Sequence, residues 1–217
     1  VTQKDISTGD GQSNDDNNAG ILTVGYNSGP LNASAGYQYI DPRFSAPGYW
    51  NKIGNWYNPT NVRGPFVRVG YNFSHAVQGY LGGDFLEGAR NRDALAVTSG
   101  PTLGWGIADN VTRASAGVKW NVTKMVNLRA DYEGVFYDLA AGHSASGVES
   151  KPVEQYITLG AGLNLAQNTV LKLAYQMIGL RDVGSGFSFL PNPDGGGAIP
   201  GGVSNASVFT TQLAVHF

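Results

Sequence analysis

Alternation of apolar and polar residues with a period of two is the feature that most constrains this chain of 217 residues. It recurs in segments of about ten residues, whereas the periodicity of an amphipathic helix is nearly missing. A tilted strand of about that length can cross a bilayer. Nine such segments are predicted, near residues 21–28, 32–41, 65–74, 76–89, 110–122, 126–139, 153–165, 169–181 and 207–217.

The segment 126–137 shows what the alternation implies about the surroundings of a strand. Arg129, Asp131 and Glu133 share one face of the predicted strand, while apolar residues share the other. Charges on one strand face are unfavourable in lipid, or in a dry core that offers them no partners. They are compatible with a lumen filled with water, so the pattern favours a strand with one wet face and one apolar face.

The connections between the predicted strands alternate in length. Short links are expected near 28–31, 74–75, 123–125 and 166–168, and long links rich in Gly, Pro, Asn, Ser and Asp at 42–64, 90–109, 140–152 and 182–206. Short periplasmic turns and long extracellular loops are typical of outer-membrane barrels. Aromatic residues near the predicted strand ends fit the girdles of such barrels, as at Tyr37, Tyr39, Tyr71, Phe73 and Trp120.

These patterns predict an all-β fold, an antiparallel transmembrane β-barrel built as a meander. Residues 1–20 form a polar N-terminal loop segment and residues 21–217 form the barrel strands. Nine strands are an odd number, whereas bacterial single-chain barrels have an even one. We therefore expect further strands from an upstream segment or from partner chains. The alternative is a miscount of one strand, most easily made in 93–108.

Several stretches resemble the strands of bacterial outer-membrane porins, namely VNLRADYEGVFYDL and YITLGAGLNLAQNTVLKLAYQMIG. The final FTTQLAVHF resembles the C-terminal insertion signal of that class, on which Phe209, Leu213, Val215 and Phe217 are the matching residues. The resemblance implies a bacterial outer-membrane location, with membrane lipid and the barrel-assembly machinery as partners. The chain also resembles, more loosely, outer-membrane porins linked to S-layer-homology modules.

A porin-like channel for passive diffusion of ions and small hydrophilic solutes is the predicted function. Its predicted pore-lining residues are Arg68, Asp84, Arg113, Lys119, Arg129, Asp131, Glu133, Glu154 and Lys172. The same charges could instead form structural ladders between neighbouring strands. Two other functions stay open at this point. One is a structural envelope or S-layer-associated anchor with a plugged or narrow lumen, and the other is a soluble β-sandwich.

Other classes of function find little support in the sequence. The chain has 14 basic and 16 acidic residues, so it lacks the basic excess of a nucleic-acid binder. Asp131 and Glu133 share a face, but the sequence places no histidine or nucleophile beside them, and we predict no enzyme. No cofactor is predicted, although calcium could find oxygen ligands at Asp10, Asp15 and Asp16.

Overall fold

The computed structural model describes residues 18–41, 44, 61–90, 107–140, 151–166, 168–181 and 203–215. These residues form one nine-stranded antiparallel sheet in which each strand pairs with the next along the chain. The predicted all-β meander is thereby confirmed. Its strands are β1 (Ala19–Ser28), β2 (Leu31–Ile40), β3 (Val62–Asn72), β4 (Val77–Gly88), β5 (Asn110–Asn121), β6 (Val126–Asp138), β7 (Val153–Ala166), β8 (Thr169–Arg181) and β9 (Val203–Val215).

Most strand ends lie within about two residues of their predicted positions, but β9 begins at Val203 instead of residue 207, inside the predicted loop 182–206. Strand β3 is a second and informative exception. It begins at Val62 instead of residue 65, although Gly64 and Pro65 have the composition of a loop. Pairing with β2 explains the difference, because Gly64 lies opposite Gln38 and Pro65 opposite Tyr37. Cross-strand pairing overrides the weak strand propensity of glycine and proline here.

Two of the short connections use the same hydrogen-bonded turn. Ser74 Oγ accepts hydrogen bonds from the backbone N–H groups of Ala76 and Val77, at 3.2 and 3.1 Å. Thr123 Oγ1 accepts the corresponding pair from Met125 and Val126, at 3.1 and 3.0 Å. A hydroxyl that binds the backbone two and three residues ahead is a well-known means of closing a tight turn. Both turns lie at the same end of the strands, as the sequence predicted.

The sheet is open in the part of the chain that the structure describes. Within that part, only strands consecutive in the chain contact one another, and β1 and β9 form the two edges. The antiparallel meander is the established architecture. Closure into a barrel would require hydrogen-bonding partners for both edges of the sheet.

The register gives the sheet two chemically different faces. One, called the charged face, carries Arg68, Asp84, Arg113, Glu133 and the residues that alternate with them in register. The other, called the apolar face, carries the intervening aliphatic and aromatic residues. The only large buried cluster among the described residues lies on the charged face, towards the strand ends away from the short turns. It comprises Val62, Leu86, Val111, Val135, Tyr137, Leu139, Tyr156 and Ile178.

Candidate solute-contacting face

The strand register places all the predicted pore-lining residues on the charged face. Asp84 lies directly opposite Arg113, and Lys119 directly opposite Arg129. Residues directly opposite in an antiparallel pair point to the same face, as do residues two apart along a strand. Extending this rule across the sheet brings together Arg68, Asp84, Arg113, Lys119, Arg129, Asp131, Glu133, Glu154 and Lys172. Their contact with a solute remains a prediction.

A four-residue ion ladder runs across β3, β4, β5 and β6 on this face. Asp84 accepts hydrogen bonds from Arg68 Nη2 at 2.5 Å and from Arg113 Nη1 at 2.9 Å. Arg113 Nη2 continues the ladder to Glu133 Oε2 at 2.9 Å. The Asp84 side chain is only 5% exposed, so its charge is held by guanidinium groups instead of by water. These four residues have the geometry of the structural ladder that was the alternative to a solute-binding lining.

Tyr80 joins Arg129 and Asp131 in a second charged group. Arg129 Nε donates to Asp131 Oδ2 at 2.5 Å, and the Tyr80 hydroxyl donates to Asp131 Oδ1. Arg129 Nη2 also donates to the Tyr80 hydroxyl oxygen at 3.3 Å. Gly117 makes room for this group, because a Cβ there would overlap the Asp131 carboxylate and the Tyr80 ring. The sequence analysis did not single out Tyr80, although Tyr80 is four residues from Asp84 on the same predicted strand and therefore shares its face.

Glu154 lies on the charged face but is fully buried, with 0% exposure. Tyr137 donates its hydroxyl hydrogen to Glu154 Oε1 at 2.7 Å, and the Tyr156 hydroxyl donates to Oε2. A buried carboxylate requires such donors because burial removes its hydration. Both tyrosines belong to the buried cluster, and neither was singled out from the sequence.

Lys119 and Lys172 differ from the other charged residues of this face. Both side chains are exposed, and neither makes an ion pair or a side-chain hydrogen bond within the described residues. Lys172 lies opposite Gly162 on β7 and Gln212 on β9. These two ammonium groups are therefore available to interact with solvent or with a solute.

An open cavity lies at the strand ends that carry the short turns, where one of its lining residues, Asn121, is two residues from Lys119 along β5. Its volume is about 490 Å³, and its polar lining includes His75, Asn121, Lys124, Asn127 and Asn164. Asn164 Nδ2 donates to the backbone carbonyl of Lys124 at 2.9 Å, which ties β7 to the turn between β5 and β6. The lining offers amide, imidazole and ammonium groups, with no carboxylate among its residues.

The predicted insertion signal lies on the edge strand β9 as far as the structure describes it. Phe209, Leu213 and Val215 occupy the apolar face and are exposed. Phe217 lies outside the described residues, as do residues 1–17 with the suggested calcium ligands Asp10, Asp15 and Asp16. Within the described ranges, no three His, Cys, Asp or Glu side chains are grouped closely enough to hold a metal ion.

Comparison with known proteins found no matching family model, no matching curated protein and no matching solved structure. A search of the described residues found no helix long and apolar enough to cross a membrane.

Proposed function

We propose that this protein is a porin-like channel of the bacterial outer membrane, through which ions and small hydrophilic solutes diffuse passively. In this proposal the apolar face contacts lipid and the charged face borders a lumen filled with water. The described strands are 10 to 14 residues long, which suits tilted membrane strands. The short turns would face the periplasm, as in barrels of this class.

The observation that carries the proposal is the exposed apolar face. Nine strands of at least ten residues, spaced about 4.8 Å apart and rising about 3.4 Å per residue, make a face of roughly 38 by 34 Å. Its area is far larger than the few hundred Å² of apolar patch usual on a soluble monomer. A lipid environment accounts for such a surface without a second protein layer. Its exposed side chains include Leu22, Val24, Val67, Val69, Leu81, Phe85, Val118, Leu128, Ile157, Leu159, Tyr175, Met177, Phe209 and Leu213.

Lipid also imposes a condition on the two edges of the sheet. Unpaired N–H and C=O groups are unfavourable in hydrocarbon, which is why sheets that span membranes are closed. The proposal therefore includes further strands that pair with β1 and β9, supplied by an upstream segment or by partner chains. During assembly, the barrel-assembly machinery would recognise and bind the insertion signal on β9.

A second candidate function is a structural outer-membrane or S-layer-associated anchor with a narrow or plugged lumen. The buried cluster on the charged face favours it, since Val135, Tyr156 and Ile178 are shielded from solvent where an open lumen would be wet. The two candidates share the same membrane orientation. They differ in whether water and ions cross the protein.

Single-channel recording on the purified full-length protein in planar bilayers, with intact-mass measurement of the same sample, tests the proposal. Stable stepwise conductance is the expected result, from an assembly larger than the 22.9 kDa of this chain alone. A folded, detergent-extracted protein that never conducts would favour the anchor. A protein that stays soluble and monomeric without detergent would overturn both membrane functions and favour a soluble β-sandwich.

A further inference from the structure

Charge on the charged face is unevenly distributed along the strands. Asp131 separates a part of the face near the short turns from the part beyond it. Between Asp131 and the short turns, the charged strand residues of this face are all cations: Lys119, Arg129 and Lys172. The neutral residues around them are mostly amides and glycines, with Val170, Ala174 and Thr210 also on this face. Nine charged, amide and glycine residues of this part of the face are called the turn-side zone: Gln78, Lys119, Asn121, Asn127, Arg129, Gly160, Gly162, Asn164 and Lys172.

Beyond Asp131, away from the short turns, the two arginines and two carboxylates of the ion ladder balance one another. The carboxylates of Asp84 and Glu133 are bound by Arg68 and Arg113, and Glu154 is buried beneath two tyrosine hydroxyls. Opposite charges in direct contact largely cancel at a distance. The exposed strand cations of this face that pair with no carboxylate in the described part of the chain are Lys119 and Lys172, both in the turn-side zone.

The three cations of that zone are all accessible. Lys119 and Lys172 are exposed and have no anionic partner in the described part of the chain, while Arg129 keeps 58% of its side chain exposed beside Asp131. Three cations against one carboxylate leave a net charge of +2, counting Arg129 with Asp131 as one neutral pair. Exposed charges on a low-dielectric wall act on ions at close range.

We infer that the turn-side zone makes the channel select anions, and that its preferred solutes are small carboxylates and phosphates. This inference rests on the proposed function. Lysine ammonium groups attract such anions as point charges, and the Asn and Gln amides can donate hydrogen bonds to their oxygens. The carboxylate at the boundary of the zone, Asp131, is held in an ion pair with Arg129.

The spacing of the two lysines favours transit over tight binding. Lys119 on β5 and Lys172 on β8 are three strand spacings apart, or about 14 Å, too far to hold one small anion together. Conduction requires sites strong enough to attract an ion and weak enough to release it. Lys119 lies directly opposite Arg129, and Lys172 lies two residues nearer the short turns than that row. Lys124 lines the cavity at the rim. An anion entering from the side of the short turns would therefore meet Lys124 first and then the three cations of the wall.

The test is the reversal potential of the full-length channel in bilayers under a KCl gradient, for the wild type and the double variant Lys119→Gln with Lys172→Gln. The wild type is expected to prefer chloride, and the variant to shift towards potassium. Lys151→Gln is the matched control, because Lys151 is 68% exposed and lies outside the strands, beside Asp138. That variant should keep the wild-type potential.

Two further measurements separate failure of this inference from failure of the proposed function. Chloride preference should weaken between 0.1 and 1 M salt, as the screening length falls from about 10 to about 3 Å. Millimolar inorganic phosphate should reduce chloride current through the wild type more than through the double variant. A conducting wild type that prefers potassium, or a variant with an unshifted potential, would overturn anion selection alone. Absence of conductance in every variant would instead count against the channel itself.

Discussion

Arg113 on β5 lies directly opposite Asp84 on β4, and its Nη1 donates a 2.9 Å hydrogen bond to Asp84 Oδ2. The second oxygen of Asp84 accepts from Arg68 on β3, and the second amino group of Arg113 reaches Glu133 on β6. The Asp84 carboxylate and the Arg113 guanidinium thus link four consecutive strands, in addition to the backbone hydrogen bonds between those strands. The ladder stabilises this alignment of the four strands.

Asp84→Asn should therefore destabilise the sheet. The substitution removes the charge that both arginines bind, and Arg113, already largely buried, keeps only Glu133. Leaving such groups poorly satisfied costs about 1–3 kcal/mol, so we expect a loss of that size in the free energy of unfolding. The measurement is urea unfolding in lipid or detergent, followed by tryptophan fluorescence.

Asp138→Asn is the control: Asp138 is 57% exposed and pairs with Lys151 at 3.6 Å, so its loss should be under about 0.5 kcal/mol. Equal losses in the two variants would contradict the role of the ladder.

The sequence alone predicted the faces of this ladder but not its partners. Alternation assigns Asp84, Arg113 and Glu133 to one face of their own strands. A two-residue slip of one strand against the next would preserve that assignment while changing which charges meet. Register depends on the whole strand pair, so Asp84 opposite Arg113 could not be read from periodicity.

Burial was the second feature that the pattern could not supply. Glu154 and Lys172 looked equivalent as charged residues on alternating strands, yet Glu154 is buried and Lys172 is exposed. The difference arises from the apolar cluster around Tyr156, which combines residues from β3 to β8. The strand start at Val62 was missed for a similar reason, since pairing with β2 outweighs the local signal of Gly64 and Pro65.

Tyr137→Phe should weaken the buried end of the charged face. It removes a 2.7 Å hydrogen bond to a carboxylate that has no access to solvent. Hydrogen bonds to charged groups contribute about 1.5–3 kcal/mol, and a loss in this range is expected in urea unfolding. Tyr71→Phe makes the same chemical change on the apolar face, where the ring is exposed and within the described residues only a ring contact with Phe73 is found. It should cost under about 0.5 kcal/mol. If Tyr137→Phe were as mild as Tyr71→Phe, the hydroxyl would have no stabilising role.

Gly64→Ala should be poorly tolerated, because Gly64 has a φ of 150° and a Cβ there would collide with the backbone carbonyl oxygen of Phe85 on β4. Residues other than glycine rarely adopt this backbone conformation, and the strain costs about 1–3 kcal/mol. Gly25→Ala is the control, since the nearest atom to its Cβ would be the Ala33 carbonyl oxygen at 4.0 Å. Thermal unfolding should show a clear loss for the first variant and little change for the second. A fully stable Gly64→Ala protein would argue against the observed start of β3.

Leu159→Arg tests which solvent the apolar face contacts. Leu159 lies in the middle of β7 on that face and is exposed. If lipid covers it, the arginine should cost about 2–4 kcal/mol in unfolding measurements made in lipid vesicles, as for cations at the midplane of membrane barrels. If water covers it, an exposed cation should change stability by under about 0.5 kcal/mol.

Thr210→Arg is the control, because Thr210 is exposed on the charged face of β9, opposite Ala174. A penalty confined to Leu159→Arg would support the membrane orientation, whereas two equally mild variants would contradict it.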